Sequence, residues 1–309
     1  MLSQTEKEEL KKEFGDKVSF DEALSFHTSM RIGGPADVIA YPADVSDLEK
    51  LLLWCRQREL PHFVLGKGSN TLVRDGGFRG MVLSLSRGFQ DYRLARENGK
   101  VVWVMAGAGC PTQALVRWAT TQGFGGLECL AGVPGAIGGN VVMNAGTFYG
   151  EIKDLIESVE ILDAAGRVRA VPREKIDFEY RKTNLPPKAI VLGTMLKLEK
   201  ANPEELDKKV RGLYEKRGDA QPVNQPSLGS IFKNPPKKKA KELIDDAGLR
   251  GVRVGGARIS DKHPNWILNE KNATAKDVLI LIDLIKDRVK ESSGILLETE
   301  IKVIGDDKI

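Results

Sequence analysis

Cysteine and histidine are both scarce in this sequence. There are three of each in 309 residues, and the cysteines are Cys55, Cys110 and Cys129. Because three is an odd number and no two of them have CxxC spacing, the sequence indicates neither a disulfide framework nor a zinc site. We therefore expect no bound metal and a reducing compartment, the cytoplasm.

Long hydrophobic runs are also missing. The most apolar stretch, residues 278–285, is interrupted by Asp283 and flanked by Asp277 and Lys286, and it falls far short of the ~20 apolar residues that a membrane span requires. The first segment, MLSQTEKEELKKEFGDK, is too highly charged to supply the apolar core of a secretion signal. We expect a soluble protein that is not bound to a membrane.

Neither sign of charge dominates the chain. Its 47 Lys and Arg residues are scattered among 43 Asp and Glu residues, which leaves a formal net charge of +4 and a pI of about 8.8. A dedicated nucleic-acid-binding protein would carry a clustered basic stripe, so the sequence favours a small anionic ligand instead. Nothing in it indicates an obligate protein partner.

Glycine, in contrast, is abundant, with 32 residues. The contents of 41% hydrophobic and 29% charged residues are ordinary for a globular protein, so the surplus of glycine requires a local explanation. The chain is longer than the ~100–150 residues of a typical domain, and more than one compact unit is expected.

The amino-terminal part alternates strand and helix patterns. Residues 36–42 predict a strand and 46–60 a helix, in which Ser46 and Glu49 have the spacing of a capping box. Residues 61–70 predict a second strand that ends in a glycine-rich loop, which completes a β-α-β unit. Such units bind ligands beyond the carboxyl ends of their strands.

The rest of the chain continues as a mixture of strands and helices. Apolar spacing predicts strands at 80–87, 100–109, 189–198 and 297–305, a strand-like segment at 252–260, and a hairpin at 158–172 that turns at Ala165–Gly166. Helices are predicted at 111–124, at 240–249, where Gly248 closes the helix, and at about 275–290, where Thr274 caps it. Residues 200–225 predict a polar connection that contains a helix. This order predicts an α+β fold.

Two glycine-rich segments are candidate ligand sites. GKGSN at 66–70 follows a strand, where exposed backbone N–H groups can converge on phosphate oxygens and Lys67 adds charge. The alternative is an ordinary turn. In the segment 127–146, glycines let the backbone approach a flat or phosphorylated group, while Asn140 and Asn144 offer amides. The alternative there is a tight loop packed against a sheet.

Seven motifs in the chain resemble one known family. They are, in order, HTSMRIGGPADV, LGKGSNTLV, LAGVPGAIGGNVVMNAG, FEYRKTN, PSLGSIFKNP, KELIDDAGLRGVRVGGARIS and LETEIKVIG. The chain is similar to the UDP-N-acetylenolpyruvoylglucosamine reductases, which are flavoenzymes of peptidoglycan synthesis. The resemblance implies a two-subdomain FAD-binding fold of the vanillyl-alcohol-oxidase type at 1–83 and 84–200. A substrate-binding domain follows at 201–309, and its last strand returns towards the active site.

The resemblance also implies FAD as the cofactor and NADPH as the co-substrate. Because both glycine-rich segments would line the FAD, it explains the surplus of glycine. The residues implied to bind FAD are Gly66, Lys67, Gly68, Ser69, Asn70, Gly132, Pro134, Gly135, Gly138, Gly139, Asn140 and Ala145.

The implied reaction reduces the enolpyruvyl ether of UDP-N-acetylglucosamine to UDP-N-acetylmuramate. Arg181 in FEYR matches the catalytic arginine of the family, whose guanidinium fork suits a planar carboxylate. Glu300 in LETEIK matches the catalytic glutamate, which would carry a proton to the substrate carboxylate if burial beside another anion raises its pKa. The interval from Arg181 to Ser230 resembles the shorter form of the family, without an inserted substrate-clamping tyrosine, so what closes over the substrate is open.

Ser230 in PSLGSIF matches the proton donor of the family. A serine nucleophile would need a nearby histidine base, and no histidine belongs to a GxSxG elbow. A hydroxyl can protonate a carbon on which negative charge develops, especially if Arg181 or Lys233 stabilises the alkoxide. Without the resemblance, Ser230 would be interpreted as a turn residue.

Lys233, Asn234 and Lys302 are the implied substrate-binding residues. Lys233 and Asn234 resemble a pair that contacts the UDP group. Lys302 is expected on the same strand face as Glu300 and would contact the diphosphate. For both lysines the alternative is a solvated surface side chain. His263 in HPNW lies in a segment implied to be near the substrate, and a structural histidine is the alternative.

Two other functions are open at the level of the sequence. One is a flavin oxidase of the same cofactor fold, and the other is a non-enzymatic binder of a nucleotide or polyanion, which the basic pI would suit. Neither explains PSLGSIF, FEYR and LETE together.

Overall fold

Helices and strands occur along the whole described chain, residues 2–307 of the computed structural model. The α-helices in this range are α1 (Gln4–Phe14), α2 (Val45–Gln57), α3 (Thr112–Gln122), α4 (Ile137–Val142), α5 (Pro203–Ala220), α6 (Ala240–Asp246) and α7 (Ala275–Ser293). The strands are β1 (Val18–Ala23), β2 (Pro35–Ala40), β3 (His62–Val64), β4 (Thr71–Val73), β5 (Phe78–Leu83), β6 (Tyr92–Asn98), β7 (Val101–Gly107), β8 (Phe124–Gly125), β9 (Gly146–Thr147), β10 (Gly150–Glu151), β11 (Ile156–Leu162), β12 (Val168–Pro172), β13 (Asp177–Glu179), β14 (Lys182–Asn184), β15 (Ile190–Lys200), β16 (Arg253–Val254), β17 (Ala257–Ile259), β18 (Ile267–Asn269) and β19 (Lys302–Ile304). This mixture confirms the predicted α+β class.

The chain divides into two compact units, each assembled from separated segments. Of the described residues, unit 1 contains those up to Ile39, Lys67–Val82 and those from Gly218 onwards, and unit 2 contains Ala40–Gly66 and Leu83–Arg217. The border after Arg217 lies within 200–225, where the sequence predicts a connection. The division into 1–83, 84–200 and 201–309 stays a prediction.

In unit 1, helix α7 presents one apolar face to a buried core. Its N-cap, Thr274, accepts a hydrogen bond from the Asp277 nitrogen, and the Asp277 carboxylate accepts one from the Thr274 nitrogen, which forms a capping box. Apolar residues at helical spacing are buried along the helix, namely Val278, Leu281, Ile282, Ile285 and Val289. The predicted helix and its cap are confirmed.

The other strands of unit 1 bring distant segments together. β1, β2 and β5 lie side by side in this order, and β16, β17 and β18 form an antiparallel sheet. β19 pairs in parallel with β4, with Lys302 opposite Thr71. Because β4 follows the GKGSN loop directly, this pairing places residues 302–304 beside the strand that leaves the loop.

Unit 2 is built on an antiparallel sheet in the order β12–β11–β15–β7–β6, and β8 pairs with one end of β15. In β7, Val102, Val104 and Ala106 are buried while the residues between them are partly exposed. This period of two is typical of a strand with one face on the core. β11 and β12 form the predicted hairpin.

The predicted cap of α2 was wrong. The helix begins at N-cap Asp44, whose carboxylate accepts a hydrogen bond from the Asp47 nitrogen at 2.8 Å. The Asp47 carboxylate in turn accepts one from the Ala43 nitrogen at 3.0 Å. Asp44 and Asp47 therefore satisfy the first turn, and Ser46 lies inside the helix.

The predicted strand 297–305 was too long. β19 contains only Lys302–Ile304, and the chain bends at Ile301. Glu300 therefore lies outside β19, and the expectation that Glu300 and Lys302 share a face of one strand is wrong.

Every helix in the described part of the chain is too short or too polar to cross a lipid bilayer.

Candidate functional site

A single side chain, Gln113 of α3, holds the glycine-rich turn that follows Leu130. Its amide nitrogen donates to the carbonyl oxygens of Leu130, at 3.0 Å, and of Val133. Its amide oxygen accepts from the Gly132 nitrogen at 3.1 Å and from the Tyr214 hydroxyl. A side-chain amide has two N–H donors and two acceptor lone pairs, so the four bonds use the full hydrogen-bonding capacity of Gln113. These bonds fix the backbone of the turn.

Gly132 lies against the side chain of Arg217. The Nε atom of Arg217 is buried and has no hydrogen-bond partner among the described residues. Burial lowers the pKa of Arg217, and the positive charge of Arg181 lowers it further. Since two guanidinium groups repel each other here, an anionic ligand would be stabilised by both.

Two successive glycines of α4 have different surroundings. The Gly138 nitrogen donates to the Ala108 carbonyl at 2.8 Å, and a Cβ on Gly138 would lie 2.8 Å from the Ala108 Cβ. Gly138 is therefore required for packing against the end of β7. Gly139 is exposed, and a Cβ there would meet no atom within 4 Å. The open space at Gly139 fits the close approach of a flat cofactor that the sequence predicts.

The amides of Asn140 and Asn144 bind within unit 2. The Asn140 Nδ2 donates to the Thr112 Oγ1 at 2.6 Å. The Asn144 Nδ2 donates to the Glu151 Oε2 and to the Glu179 carbonyl, each at 3.0 Å. Both side chains therefore stabilise the segment itself, and a contact between Asn140 and FAD stays a prediction.

The GKGSN loop reaches two other predicted site residues within unit 1. Gly68 has φ +58°, and its Cα packs against the backbone at His27 so closely that a Cβ would clash. The Asn70 Nδ2 donates to the Glu300 carbonyl at 3.1 Å, and the Asn70 carbonyl accepts from the Lys302 nitrogen at 2.9 Å. The structure thus brings the predicted cofactor loop together with Glu300 and Lys302.

The remaining predicted FAD contacts range from exposed to buried. Gly66, Lys67 and Pro134 are exposed, Ser69 and Gly135 are partly exposed, and Ala145 is buried. Their contacts with FAD stay predictions.

The segment after Ser230 pairs with the segment that contains Glu300. The Glu300 nitrogen donates to the Ile231 carbonyl at 2.8 Å, and Phe232 forms an antiparallel bridge with Thr299. Within unit 1, two of the three predicted catalytic residues therefore lie on adjacent, hydrogen-bonded segments.

Asn265 of HPNW holds the same segment from the other side. Its carbonyl accepts from the Ile231 nitrogen at 2.8 Å. Its side chain accepts from the Phe232 nitrogen at 2.9 Å and donates to the Phe232 carbonyl at 2.8 Å. The ring of His263 packs edge-on against Trp266, with 6.1 Å between the ring centroids. In this motif Asn265 binds the Ser230 segment through both its backbone and its side chain.

The predicted UDP-binding residues make contacts within unit 1. The Lys233 Nζ lies 2.5 Å from the Glu298 Oε1, and Glu298 is largely exposed. The Asn234 Oδ1 accepts from the Ala240 nitrogen at 3.0 Å, which satisfies one donor in the first turn of α6. Lys302 is exposed. A substrate contact of these three residues stays a prediction.

Arg181 lies in the turn between β13 and β14. Its φ of 59° is left-handed, which costs about 1–2 kcal/mol for a residue with a side chain. The Nη2 donates to the Gly146 carbonyl at 3.4 Å, and the Nη1 lies 4.0 Å from the Glu151 Oε1. These contacts hold the guanidinium group near the hairpin of β9 and β10.

Sequence reasoning missed four residues of these networks, namely Gln113, Glu151, Arg217 and Asn265. Arg217 and Asn265 belong to segments that it did single out, 200–225 and HPNW. Their partners lie far along the chain, and spacing within one segment carries no signal for such contacts. Gln113 lies in a segment predicted only as a helix, 111–124, and Glu151 lies outside all of the motifs described above.

Comparison with known proteins establishes the family. Residues 221–304 match the profile of the UDP-N-acetylenolpyruvoylglucosamine reductase carboxyl-terminal domain, and residues 36–171 match an FAD-binding domain. The UDP-N-acetylenolpyruvoylglucosamine reductase of Geotalea uraniireducens is 42% identical over 291 residues, which cover 94% of this chain and 95% of the relative. The chain belongs to the UDP-N-acetylenolpyruvoylglucosamine reductase family.

Other UDP-N-acetylenolpyruvoylglucosamine reductases agree over nearly the full length. The protein of Heliobacterium modesticaldum is 42% identical over 92% of this chain and 90% of its own. The crystal structure of the enzyme from Thermus caldophilus is 38% identical, with a TM-score of 0.80, over 93% of this chain and 98% of the other. The predicted family, its fold and its FAD cofactor are confirmed by these matches.

Proposed function

We propose that this protein uses NADPH to reduce the enolpyruvyl ether of UDP-N-acetylglucosamine to UDP-N-acetylmuramate. Membership of the reductase family supports the substrate class. The observation that carries the proposal for the site is the pairing of the Ser230 segment with the Glu300 segment. The proposed substrate is a small molecule, and neither nucleic acid nor a second protein is needed.

The proposed location is the cytoplasm. The three cysteines are buried, and none of them forms a disulfide in the described chain. This agrees with a reducing compartment.

Bound FAD would supply the chemistry of hydride transfer between NADPH and the alkene of the substrate. We assign its binding to the two glycine-rich segments. Gln113 fixes the turn at Gly132, and the exposed Gly139 leaves space for close approach. Arg217, beside Gly132, supplies positive charge for an anionic group.

Hydride addition to the terminal vinyl carbon places negative charge on the carbon next to the carboxylate. In the proposed mechanism, Arg181 binds the substrate carboxylate through its guanidinium fork. Glu300 supplies a proton to this carboxylate. Ser230 gives its hydroxyl proton to the carbon and regains a proton from water, and the carboxylate returns to Glu300 the proton that it received. One hydride and one proton are thus added across the double bond, and NADP⁺ is released.

The uridine diphosphate group requires separate contacts. We assign these to Lys233, Asn234 and Lys302, whose side chains lie in or next to the paired segments of unit 1. Two cationic groups and an amide are suitable partners for a diphosphate.

Anaerobic reoxidation of the flavin tests this function. The FAD-loaded protein is reduced with one equivalent of NADPH and mixed with the enolpyruvyl sugar nucleotide, while flavin absorbance is followed and the product is identified by mass. We expect rapid reoxidation with stoichiometric UDP-N-acetylmuramate. A reduced flavin that the sugar nucleotide fails to reoxidise, but that is rapidly reoxidised once air is admitted, would support a flavin oxidase. A protein that takes up no flavin would support a nucleotide binder.

A further inference from the structure

A carboxylate and a buried amide outside the predicted catalytic set lie beside the turn that carries Arg181. We propose that Glu151, itself held by Asn144, is a positioning residue that orients the Arg181 guanidinium for the substrate carboxylate. This inference rests on the proposed function. It adds a residue to the machinery of that reaction and assigns it a role that acts through Arg181.

The turn alone does not determine where the guanidinium points. Arg181 is the second residue of the two-residue connection between Glu179 and Lys182, which pair as the ends of β13 and β14. A left-handed backbone fixes the direction of the Cα–Cβ bond, but the arginine side chain has several rotatable bonds beyond it. Contacts at its far end must therefore select the orientation.

The two oxygens of Glu151 have separate partners. Oε2 accepts from the Asn144 Nδ2 at 3.0 Å and lies 2.6 Å from the Lys153 Nζ. Oε1 faces the Arg181 Nη1 at 4.0 Å. Two donors thus hold Oε2, and Oε1 is the oxygen that faces Arg181.

Asn144 ties this carboxylate to the backbone of the turn. It is fully buried with φ 41°, and its Nδ2 also donates to the Glu179 carbonyl at 3.0 Å. Its Oδ1 accepts from the Lys153 nitrogen at 3.4 Å. A single amide thus links the residue before the turn to the carboxylate that faces Arg181.

The distance between Glu151 and Arg181 suits orientation without tight pairing. A separation of 4.0 Å is longer than the ~2.7–2.9 Å of a charge-assisted hydrogen bond. The negative charge attracts Arg181 and opposes the repulsion between Arg181 and Arg217. An incoming carboxylate can then form the shorter, bidentate bonds with a guanidinium group that is already in place.

The test is Glu151→Gln, with Glu179→Gln as the matched control. Glu179 lies on the same hairpin, but its exposed carboxylate faces Lys182 and Asn184. We expect Glu151→Gln to slow flavin reoxidation by the enolpyruvyl sugar nucleotide by about 10- to 100-fold. Flavin reduction by NADPH and the thermal midpoint should stay unchanged, and the control should behave as wild type.

A second readout does not depend on turnover. Calorimetric titration of the oxidised protein with the enolpyruvyl sugar nucleotide should show a several-fold higher Kd for Glu151→Gln and an unchanged Kd for Glu179→Gln. Lys153→Gln, which removes one partner of Oε2 at a partly exposed site, should give a smaller loss, about 3-fold, in the reoxidation step alone.

A double-mutant cycle decides whether Glu151 acts through Arg181. In an Arg181→Lys background, Glu151→Gln should slow flavin reoxidation by less than about 2-fold further. The effects of two residues that act through one another are not additive. The inference would be overturned if the rate losses of the two single variants multiply in full in the double variant. It would also be overturned if Glu151→Gln slows flavin reduction by NADPH as much as flavin reoxidation by the substrate. A wild-type protein that the substrate fails to reoxidise would overturn the proposed function instead.

Discussion

Gly132 and Arg217 are in direct contact, since a Cβ on Gly132 would lie 2.8 Å from the Arg217 Cδ and 3.0 Å from its Nε. The glycine also has φ +73°. Its lack of a side chain therefore serves two purposes, a left-handed turn and room for the arginine.

Gly132→Ala should reduce both stability and cofactor affinity. A left-handed alanine costs about 1–2 kcal/mol, and the added methyl group would displace Arg217. We expect a lower midpoint of urea unfolding for the apoprotein and a higher Kd for FAD, measured by quenching of flavin fluorescence. An unchanged Kd for FAD would show that Arg217 and this turn are not needed for the cofactor.

Gly139→Ala should separate stability from cofactor binding. A methyl group at Gly139 meets no protein atom, and alanine is favoured over glycine in a helix by ~0.5–1 kcal/mol. We expect the apoprotein to be as stable as wild type while FAD binds more weakly. Gly138→Ala, which collides with Ala108, should instead destabilise the apoprotein. Unchanged FAD affinity in Gly139→Ala would contradict the assignment of this surface.

Ser230→Ala should affect one half-reaction only. The hydroxyl is proposed to protonate carbon, a contribution of about 10²–10⁴-fold for a positioned acid. Stopped-flow measurement should show normal reduction of the flavin by NADPH and a loss of this size in reoxidation by the enolpyruvyl sugar nucleotide. Equal losses in the two steps would reject the proton-donor role.

Asn265→Ala should loosen the Ser230 segment. The change leaves the buried nitrogen and carbonyl of Phe232 without their side-chain partner, which costs about 1–3 kcal/mol per group. We expect a lower thermal midpoint and slower flavin reoxidation by substrate. His263→Gln is the comparison variant within the same motif. A larger fall in thermal midpoint and reoxidation rate for His263→Gln than for Asn265→Ala would show that His263, and not Asn265, matters more for this segment.

Glu128 should make stability sensitive to acid. Burial alone would raise its pKa, but hydrogen bonds from Lys209 and from the backbone, including Gly126, lower the pKa below its usual 4.5. A carboxyl group with a lowered pKa in the folded state stabilises the fold above pH ~4.5, and this contribution is lost as pH falls through the folded-state pKa.

Glu128→Gln should therefore weaken the decline of unfolding free energy between about pH 5 and 3, measured by urea unfolding at several pH values. Lys209→Gln should have a similar effect, because it removes the first of the groups that lower the pKa. A decline as steep as that of wild type in both variants would assign the acid sensitivity to other carboxylates.

The elements that the sequence predicted well are those defined by neighbouring residues. Helix α7 has its apolar spacing, its Thr274 cap and Asp277 within one segment, and the hairpin of β11 and β12 has its turn between its strands. The cap of α2 failed because Asp44 and Ser46 both satisfy the same local pattern, and only the position of the first turn distinguishes them.

The contacts that position the candidate site join residues that are far apart in the sequence. Gln113 reaches Tyr214, Asn70 reaches Glu300, and Asn265 reaches Phe232, each across a long stretch of chain. Motif resemblance named Ser230 and Glu300, but no periodicity or spacing could show that their segments are paired. The supporting residues become visible only when the fold places them.

The parallel pairing of β4 with β19 bears on the order in which this protein can mature during synthesis. Residues 71–73 leave the ribosome early, yet their partner at 302–304 emerges only after more than two hundred further residues have been translated. Until then β4 lacks the strand that it pairs with in the folded protein, so this part of unit 1 can be completed only when nearly all of the sequence has been synthesised.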